Sequence, residues 1–271
     1  MKSVLLHVYD DDALDDRLQV ALDVCRTFDA HLTCLQVTPY NAYVSFEPLG
    51  GVYTQAAVLE SVREREDSVR KEIEARLVQD DVRWDWIAAD GPVIQKLVSA
   101  SALSDLLVVG QYPGASDAVS QPLPIVDEVA VHAACAVLLV PTGVAAFDAT
   151  RPAVIGWNAS PEAANAIRHA LPVLRAASAV RIVSVGEDSE AFPQTAASSY
   201  LSRHGVPSEL HTLPAGPNGA AGRVLEDFAA KQGAGCLVIG AYGRSRLRET
   251  LLGGVTRDLL RTSRIPLLLG H

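Results

Sequence analysis

Residues 236–266 read CLVIGAYGRSRLRETLLGGVTRDLLRTSRIP, and they constrain the architecture more tightly than any other segment of the chain. The stretch opens with an unbroken apolar run at 236–239, which is typical of a buried parallel strand. Glycines then follow in the spacing Gly-x2-Gly-x9-Gly-Gly, at Gly240, Gly243, Gly253 and Gly254. A glycine at a strand end lets a ligand approach the backbone, and glycines that open a helix leave its first amide groups uncovered. The pattern predicts a strand, a phosphate-binding loop and a helix.

A weaker copy of this segment lies 130 residues earlier. Gly110 corresponds to Gly240, but Pro113 stands where Gly243 would be, and Leu123-Pro124 replace the glycine pair. Proline lacks the amide hydrogen that a phosphate would need. The earlier copy is therefore predicted to have lost this mode of phosphate binding.

A second repeat supports an internal duplication. The pattern Ala-Leu-x-Val-x-Arg of residues 21–26 recurs at 170–175, an offset of 149. Strand-like and helix-like segments alternate along the chain and restart after a linker at 141–152, which predicts parallel sheets covered by helices on both faces. We expect an α/β protein of two similar Rossmann-like domains, residues 1–141 and 152–271, each with a five-stranded, mainly parallel sheet. The expected strands are centred on residues 4–8, 31–37, 84–88, 105–109, 136–140, 153–157, 180–185, 209–213, 236–239 and 265–269.

A further expectation concerns one element. A long charged helix is predicted at 56–79, after a loop that contains the Gly50-Gly51 pair.

Composition excludes several classes of protein. The chain has 271 residues, of which 49% are hydrophobic and 20% charged, as in a well-packed globular protein. The net charge of −9 disfavours a general nucleic-acid or membrane-surface binder, since such proteins need a basic surface. The apolar run at 4–8 is too short for a signal peptide or a membrane span, so a cytoplasmic location is predicted. The cysteines show no metal-like spacing and are expected to be reduced core residues: Cys25, Cys34, Cys135 and Cys236.

With these residues in view, the chain resembles a tandem universal stress protein, two copies of that family's α/β domain in one polypeptide. The resemblance rests on the glycine pattern, on Val255-Thr256 after it, and on the closing strand after Ile265-Pro266. The turn WNASPE at 157–162 is also similar to the family's first strand-to-helix turn. The likeness spans nearly the whole chain and implies the adenine nucleotide alpha hydrolase-like fold. In related folds the fifth strand forms the dimer edge, so the resemblance also implies that the last strands of the two domains, 136–140 and 265–269, pair within one chain as an intramolecular pseudo-dimer. A homodimer of the whole chain is an additional possibility that the sequence does not require.

In the nucleotide-binding branch of this family, ATP lies across the carboxyl ends of the parallel strands and the glycine loop receives its phosphates. The resemblance therefore implies an adenine nucleotide in the C-terminal domain, with ATP favoured and ADP or AMP as alternatives. Whether Mg²⁺ accompanies the nucleotide is left open. The site residues that the resemblance implies are Asn158, Gly240, Gly243, Arg244, Gly253, Gly254, Val255 and Thr256.

Two positions depart from the family pattern. Gly254 stands where the family usually has serine or threonine, so one hydroxyl contact is lost. Asn158 stands where the family usually has aspartate; its amide can hydrogen-bond a ribose or adenine edge but brings no negative charge to a metal.

Three residues have two possible roles each, and two of them, Arg244 and Thr256, belong to the site residues named above. Arg244 either neutralises phosphates or belongs to the solvated surface. Thr256 either offers its hydroxyl to the ligand or caps the helix. Trp157 is expected to pack in the core rather than serve as a stacking platform for adenine.

In the N-terminal domain, Tyr9 corresponds to Asn158. This domain is expected to be a structural partner, or to bind something else near Asp10-Asp11-Asp12, which is also consistent with a plain acidic turn.

Three functions follow from the sequence. The first is a stress-associated regulatory protein that senses an adenine nucleotide, needs no catalytic or metal-binding residues, and signals to an unknown protein partner. The second is a slow ATPase or nucleotide-processing enzyme, although the chain has no G-x-x-x-x-G-K-[ST] loop. The third is an interaction module that binds no nucleotide.

Overall fold

The structure is a computed structural model that describes residues 1–39, 51–111, 125–186, 192–216, 220–241 and 253–271. At 51–56 and 253–254 only the backbone is considered.

The first half of the chain alternates strands and helices as the sequence predicts. Each strand is followed by a helix that returns the chain to the same edge of the sheet, which keeps successive strands parallel. The elements are β1 (Ser3–Val8), α1 (Leu14–Phe28), β2 (His31–Thr38), α2 (Gly51–Leu77), β3 (Arg83–Asp90), α3 (Val93–Ser101), β4 (Leu106–Gly110), α4 (Ile125–His132) and β5 (Ala136–Val140).

The second half repeats this order. Its elements are β6 (Ala153–Gly156), α5 (Pro161–Ala176), β7 (Val180–Val185), α6 (Gln194–Arg203), β8 (Glu209–Leu213), α7 (Ala221–Lys231), β9 (Cys236–Gly240), α8 (Gly253–Thr262) and β10 (Leu267–Gly270).

The described strands form one ten-stranded sheet with the order β3-β2-β1-β4-β5-β10-β9-β6-β7-β8. Read outward from the middle, each half has the same order, and the pairs inside each half are parallel. The predicted α/β class, with two similar five-stranded halves, is confirmed.

The halves join through the antiparallel pairing of β5 with β10, as expected. Leu268 lies opposite Leu138, and both side chains are fully buried. Because this one pairing is antiparallel, the carboxyl ends of the two sets of parallel strands point to opposite edges of the sheet.

Helices cover both faces of the sheet and bury two hydrophobic layers. One layer lies under α1, α2, α5 and α6, and the other under α3, α4, α7 and α8. Both layers contain residues from the two halves, so the core is continuous across the junction.

The connection between β5 and β6 is held against α1. Asp16 accepts a hydrogen bond from the backbone N–H of Gly143 at 3.1 Å, and Asp23 accepts one from Phe147 at 3.0 Å. The Phe147 side chain is buried in the layer under α1. The linker is therefore part of the packed structure and fixes how the halves sit together.

Four element ends differ from the sequence prediction. Helix α2 begins at Gly51, a residue assigned to the preceding loop, and it ends at Leu77 rather than at 79. Helix α8 begins at Gly253, whereas the sequence prediction placed the start of this helix at Val255. Strand β6 ends at Gly156, so Trp157 already belongs to the turn.

The four cysteines are free and buried, as predicted. Burial raises the pKa of each thiol to about 12, so the thiolate is strongly disfavoured. In the described part of the chain, no helix combines the length and apolarity needed to cross a membrane.

We predict that Leu138→Ala destabilises both halves together. The substitution leaves a cavity beside Leu268 at the shared junction, and such core truncations cost about 2–5 kcal/mol. Urea unfolding should be followed by the fluorescence of Trp157 in a background in which Trp84 and Trp86 are replaced by phenylalanine. The midpoint should fall although the mutated residue lies in the other half.

The matched control is Leu103→Ala, since the Leu103 side chain is 94% exposed and its loss should leave the midpoint unchanged. If Leu138→Ala left the midpoint of the Trp157 transition unchanged, the halves would unfold independently.

Candidate functional site

A cavity of about 250 Å³ opens at the carboxyl ends of β6, β7 and β9. This is the edge at which open parallel sheets generally bind ligands. Two helices, α7 and α8, close its other side. The lining residues are Gly156, Trp157, Asn158, Ala159, Val183, Ser184, Val185, Ala221, Leu225, Ile239, Gly240, Val255 and Thr256.

The floor of the cavity depends on Gly156, the last residue of β6. A Cβ atom added there would lie 3.0 Å from both Ile239 Cγ2 and Leu225 Cδ1. Any side chain at this position would therefore take up space between β9 and α7. The absence of a side chain lets Ile239 and Leu225 pack directly against the end of the central strand, which borders the cavity.

The turn after β6 places Asn158 in the cavity wall. Ala159 has the left-handed φ of 59°, which is unusual for a residue with a side chain. The Asn158 Oδ1 atom accepts the Ser160 N–H at 3.3 Å, and Ser160 Oγ caps α5 by accepting the Ala163 N–H at 3.1 Å. Within the described residues the Asn158 amide nitrogen donates to no protein group, so it remains available to a ligand.

Trp157 borders the cavity but serves the core. Its side chain is buried, its Nε1–H donates to the Phe192 carbonyl at 3.2 Å, and its ring meets the Phe192 ring edge-on at 4.9 Å. The packing interpretation of Trp157 is confirmed.

Two helix amino-termini meet at the mouth of the cavity. Ala221 is the first residue of α7, and the N-cap residue Ala220 has no side-chain acceptor to cap that end of the helix. Helix α8 packs against α7 and begins with Gly253-Gly254, followed by Val255 and Thr256 in the cavity wall. The first amide groups of a helix lack partners within it and carry the positive end of its dipole. The mouth therefore favours an anion.

Gly240 has a tighter structural role than the sequence indicated. A Cβ added to it would come within 2.6 Å of the Ala163 nitrogen and 3.0 Å of the Glu162 Cβ. The end of β9 thus packs directly beneath the first turn of α5. Gly240 still lines the cavity, but close helix packing already requires a glycine there.

Thr256 connects α8 to the sheet. Its hydroxyl donates to the Gly240 carbonyl at 3.3 Å, and its side chain is buried. The hydroxyl is therefore engaged with the protein rather than capping its helix.

Of the residues that the sequence singled out, the structure brings Asn158, Gly240, Val255 and Thr256 together around the cavity. Gly253 and Gly254 open the adjoining helix. Gly243 and Arg244 lie outside the described residues.

The sequence did not single out several other lining residues, among them Gly156, Val183, Val185, Ala221 and Leu225. Gly156 carried a usable signal, because a glycine at the end of a strand predicts close approach of another group. The others look like ordinary core residues.

Comparison with known proteins agrees with this geometry. The family model described as the universal stress protein family matches residues 150–270. The chain matches none of the curated proteins with which it was compared.

Solved universal stress protein structures share the fold of the entire chain. One from Archaeoglobus fulgidus DSM 4304 has a TM-score of 0.73 at 14% identity, covering 98% of this chain and 97% of its own. A candidate universal stress protein from Pseudomonas aeruginosa has a TM-score of 0.57 at 16% identity, covering 99% of this chain and 92% of its own. The first half, which lies outside the matched family region, therefore has the universal stress protein fold as well.

The corresponding edge of the first half is built differently. Arg17, with its side chain almost wholly buried, donates from Nε to the His7 carbonyl at 3.2 Å and from Nη2 to the Tyr9 carbonyl at 2.8 Å. Its Nη1 lies 3.1 Å and 3.2 Å from the two carboxylate oxygens of Asp11. The acidic turn is therefore a counterion for a buried guanidinium. Within the described residues, no group of three or more His, Cys, Asp or Glu side chains is placed to hold a metal ion.

The His7 imidazole is buried beside this cluster. Burial, with a smaller contribution from the Arg17 charge, lowers the His7 pKa from 6.5 to about 3. The ring is therefore neutral in the folded protein at physiological pH.

We predict that Ala159→Gly stabilises the second half of the chain. Glycine adopts the left-handed conformation without the steric cost that alanine bears, so the gain is expected to be about 1 kcal/mol. Denaturant unfolding of the wild type and the variant measures it. A loss of stability would mean that the alanine methyl group has compensating contacts.

We also predict that His7 makes the protein acid-sensitive. Below the unfolded-state pKa of 6.5 the unfolded chain takes up a proton at His7 that the native state refuses, so stability falls as pH decreases toward 3. Between about pH 5.5 and 4 the free energy of unfolding should drop by roughly 1.4 kcal/mol per pH unit from this residue. The His7→Gln variant should lack that component, and an identical slope in both proteins would contradict the assignment.

Proposed function

We propose that residues 152–271 bind an adenine nucleotide, with ATP favoured over ADP and AMP, and that the protein is a regulatory binder associated with stress responses. The observation that carries the proposal is the meeting of two helix amino-termini at an apolar cavity, at the carboxyl ends of three parallel strands. The match of residues 150–270 to the model of the universal stress protein family supports the same reading.

The apolar part of the cavity suits the adenine base. Val183 and Val185 of β7, with Leu225 and Ile239 opposite, supply flat aliphatic walls. The volume of about 250 Å³ is below the ~300–1,000 Å³ typical of sites that enclose a whole ligand. A nucleoside therefore fills it, and the phosphates extend toward the mouth.

Asn158 supplies the specific polar contact. Its Oδ1 is already used by the Ser160 N–H, so its amide N–H groups face the ligand as donors. A ribose oxygen or an acceptor nitrogen of the base is the matching partner. Because the side chain is neutral, it contributes no charge for holding Mg²⁺.

The amino-termini of α7 and α8 receive the phosphates. Free backbone amides together with two helix dipoles bind phosphate oxygens without a lysine. In this assignment Gly253, Gly254 and Val255 surround the phosphates, and Thr256 holds α8 on β9. Gly243 and Arg244, which lie outside the described residues, are assigned to the same phosphates on the resemblance alone. The three phosphates of ATP contact more of these amides than the phosphates of ADP or AMP do, so ATP is favoured.

The regulatory role follows from what the site supplies. The site offers groups that bind a nucleotide. A bound ligand shifts the equilibrium between two conformations only if it has a different affinity for each of them. We propose that a partner protein reads the nucleotide-dependent conformation in the cytoplasm. The first half, residues 1–141, acts as the structural partner in the pseudo-dimer, and a homodimer of whole chains remains an additional hypothesis.

We predict that Gly156→Val weakens ATP binding at least about 100-fold, because a side chain on the floor displaces the nucleoside, a loss of about 2.7 kcal/mol. Asn158→Ala should weaken it about tenfold through one lost hydrogen bond. Isothermal titration of the full chain with ATP measures both effects, and Leu103→Ala serves as the exposed control.

Three outcomes separate the alternatives. Absence of binding by the folded wild type to ATP, ADP and AMP would contradict the proposal and favour the interaction module. ATP turnover that Gly156→Val abolishes would favour the enzyme. Tight binding that survives Gly156→Val would place the site elsewhere.

A further inference from the structure

Equivalent hydrogen bonds align the first strands of the two halves residue by residue. In one half the Asp105 N–H donates to the Ser3 carbonyl at 2.8 Å, and in the other the Gly235 N–H donates to the Pro152 carbonyl at 2.8 Å. Ser3 therefore corresponds to Pro152. Counting forward along the chain, His7 stands at the place of Gly156 and Tyr9 at the place of Asn158.

The His7 side chain lies on the face of the sheet on which the cavity of the second half opens beside Gly156. Side chains alternate along a strand, so His7 shares a face with Leu5, which packs with Leu107 and Val109 in the layer under α3 and α4. Gly156 shares a face with Val154, which packs in the same layer under α7 and α8. The cavity of the second half lies on this same side of the sheet.

The Tyr9 ring closes the space above His7. The two rings are stacked, with centroids 6.1 Å apart and planes inclined by 26°. His7 is 5% exposed and Tyr9 is 38% exposed, so the stack runs from the interior to the surface. At the same two places the second half has Gly156 and Asn158, and both of these line its cavity.

Arg17 holds the stack in place. Its guanidinium binds the backbone carbonyls of both His7 and Tyr9 and is neutralised by Asp11. The backbone that carries the rings is thus tied to α1 by a buried, fully paired cation. If either ring moved out of the pocket, Arg17 would still hold the backbone of His7 and Tyr9 in place.

We propose that His7 and Tyr9 act as an intramolecular ligand that permanently fills, in the first half, the pocket that the second half leaves open. The first half therefore takes no nucleotide, and the chain has one exchangeable site. His7 and Tyr9 thus determine that the second half, and not the first, contains the nucleotide site. The filled pocket is inferred from the fold alone, whereas the nucleotide count rests on the proposed function.

The test is rescue of His7→Gly by free imidazole in the full chain. Removal of the ring should leave an enclosed cavity of imidazole shape, so imidazole should raise the melting temperature of the variant by several degrees in a saturable manner. The wild type and His132→Gly, which removes an exposed ring, should show no such rise. A folded His7→Gly variant that imidazole does not stabilise would overturn the filled pocket.

A second measurement on the wild type needs no variant. Hydrogen exchange at the imidazole C2 position, followed by mass spectrometry, should be much slower at His7 than at His132. Exchange at equal rates would mean that the pocket is open to solvent and would overturn the proposal.

Titration with ATP provides the arm that depends on the proposed function. One equivalent per chain, lost in Gly156→Val, is the expected result. A second equivalent that persists in Gly156→Val and disappears when Tyr9 or His7 is altered would contradict the filled pocket. Complete absence of ATP binding would sink the nucleotide proposal, while the imidazole result would still decide the filled pocket.

Discussion

The antiparallel pairing of β5 with β10 is the constraint on which the other features depend. It joins two parallel half-sheets into one ten-stranded sheet and buries Leu138 against Leu268 at the centre of a continuous core. It also directs the carboxyl ends of the two half-sheets to opposite edges. Each half therefore has its own ligand edge, and one edge can lose its function without disturbing the other.

The open edge of the second half results from small residues at specific places. Gly156 lets Ile239 and Leu225 pack against the end of β6 at the floor of the cavity, and Gly240 lets α5 pack directly on the end of β9. The left-handed Ala159 turns the chain so that Asn158 faces the cavity. The amino-terminus of α7 and the start of α8 then give the mouth its preference for anions. At the other edge, two rings and a buried arginine occupy the equivalent region.

Much of the fold was predictable, because buried strands and amphipathic helices leave periodic patterns and the glycine spacing at 240–254 marks a strand-to-helix loop. The pairing of the last strands was also predictable, because in the folds that the chain resembles the fifth strand forms the dimer edge. Helix ends were less so, since Gly51 and Gly253 usually break helices and here begin them. The wall formed by β7 and α7 was not predictable, because Val183 and Leu225 differ from other core residues only in their position. The role of His7 was not predictable either, because its burial depends on Arg17 and its correspondence to Gly156 depends on the alignment of β1 with β6.

The central claim is that one edge of this molecule accepts a nucleotide and the other is already filled. Backbone hydrogen exchange of the full chain, with and without saturating ATP, tests it most directly. The account predicts slower exchange at 155–159, 183–186, 220–225 and 253–257, and no change at 5–11 and 91–97. Protection of both sets, or of neither, would contradict it.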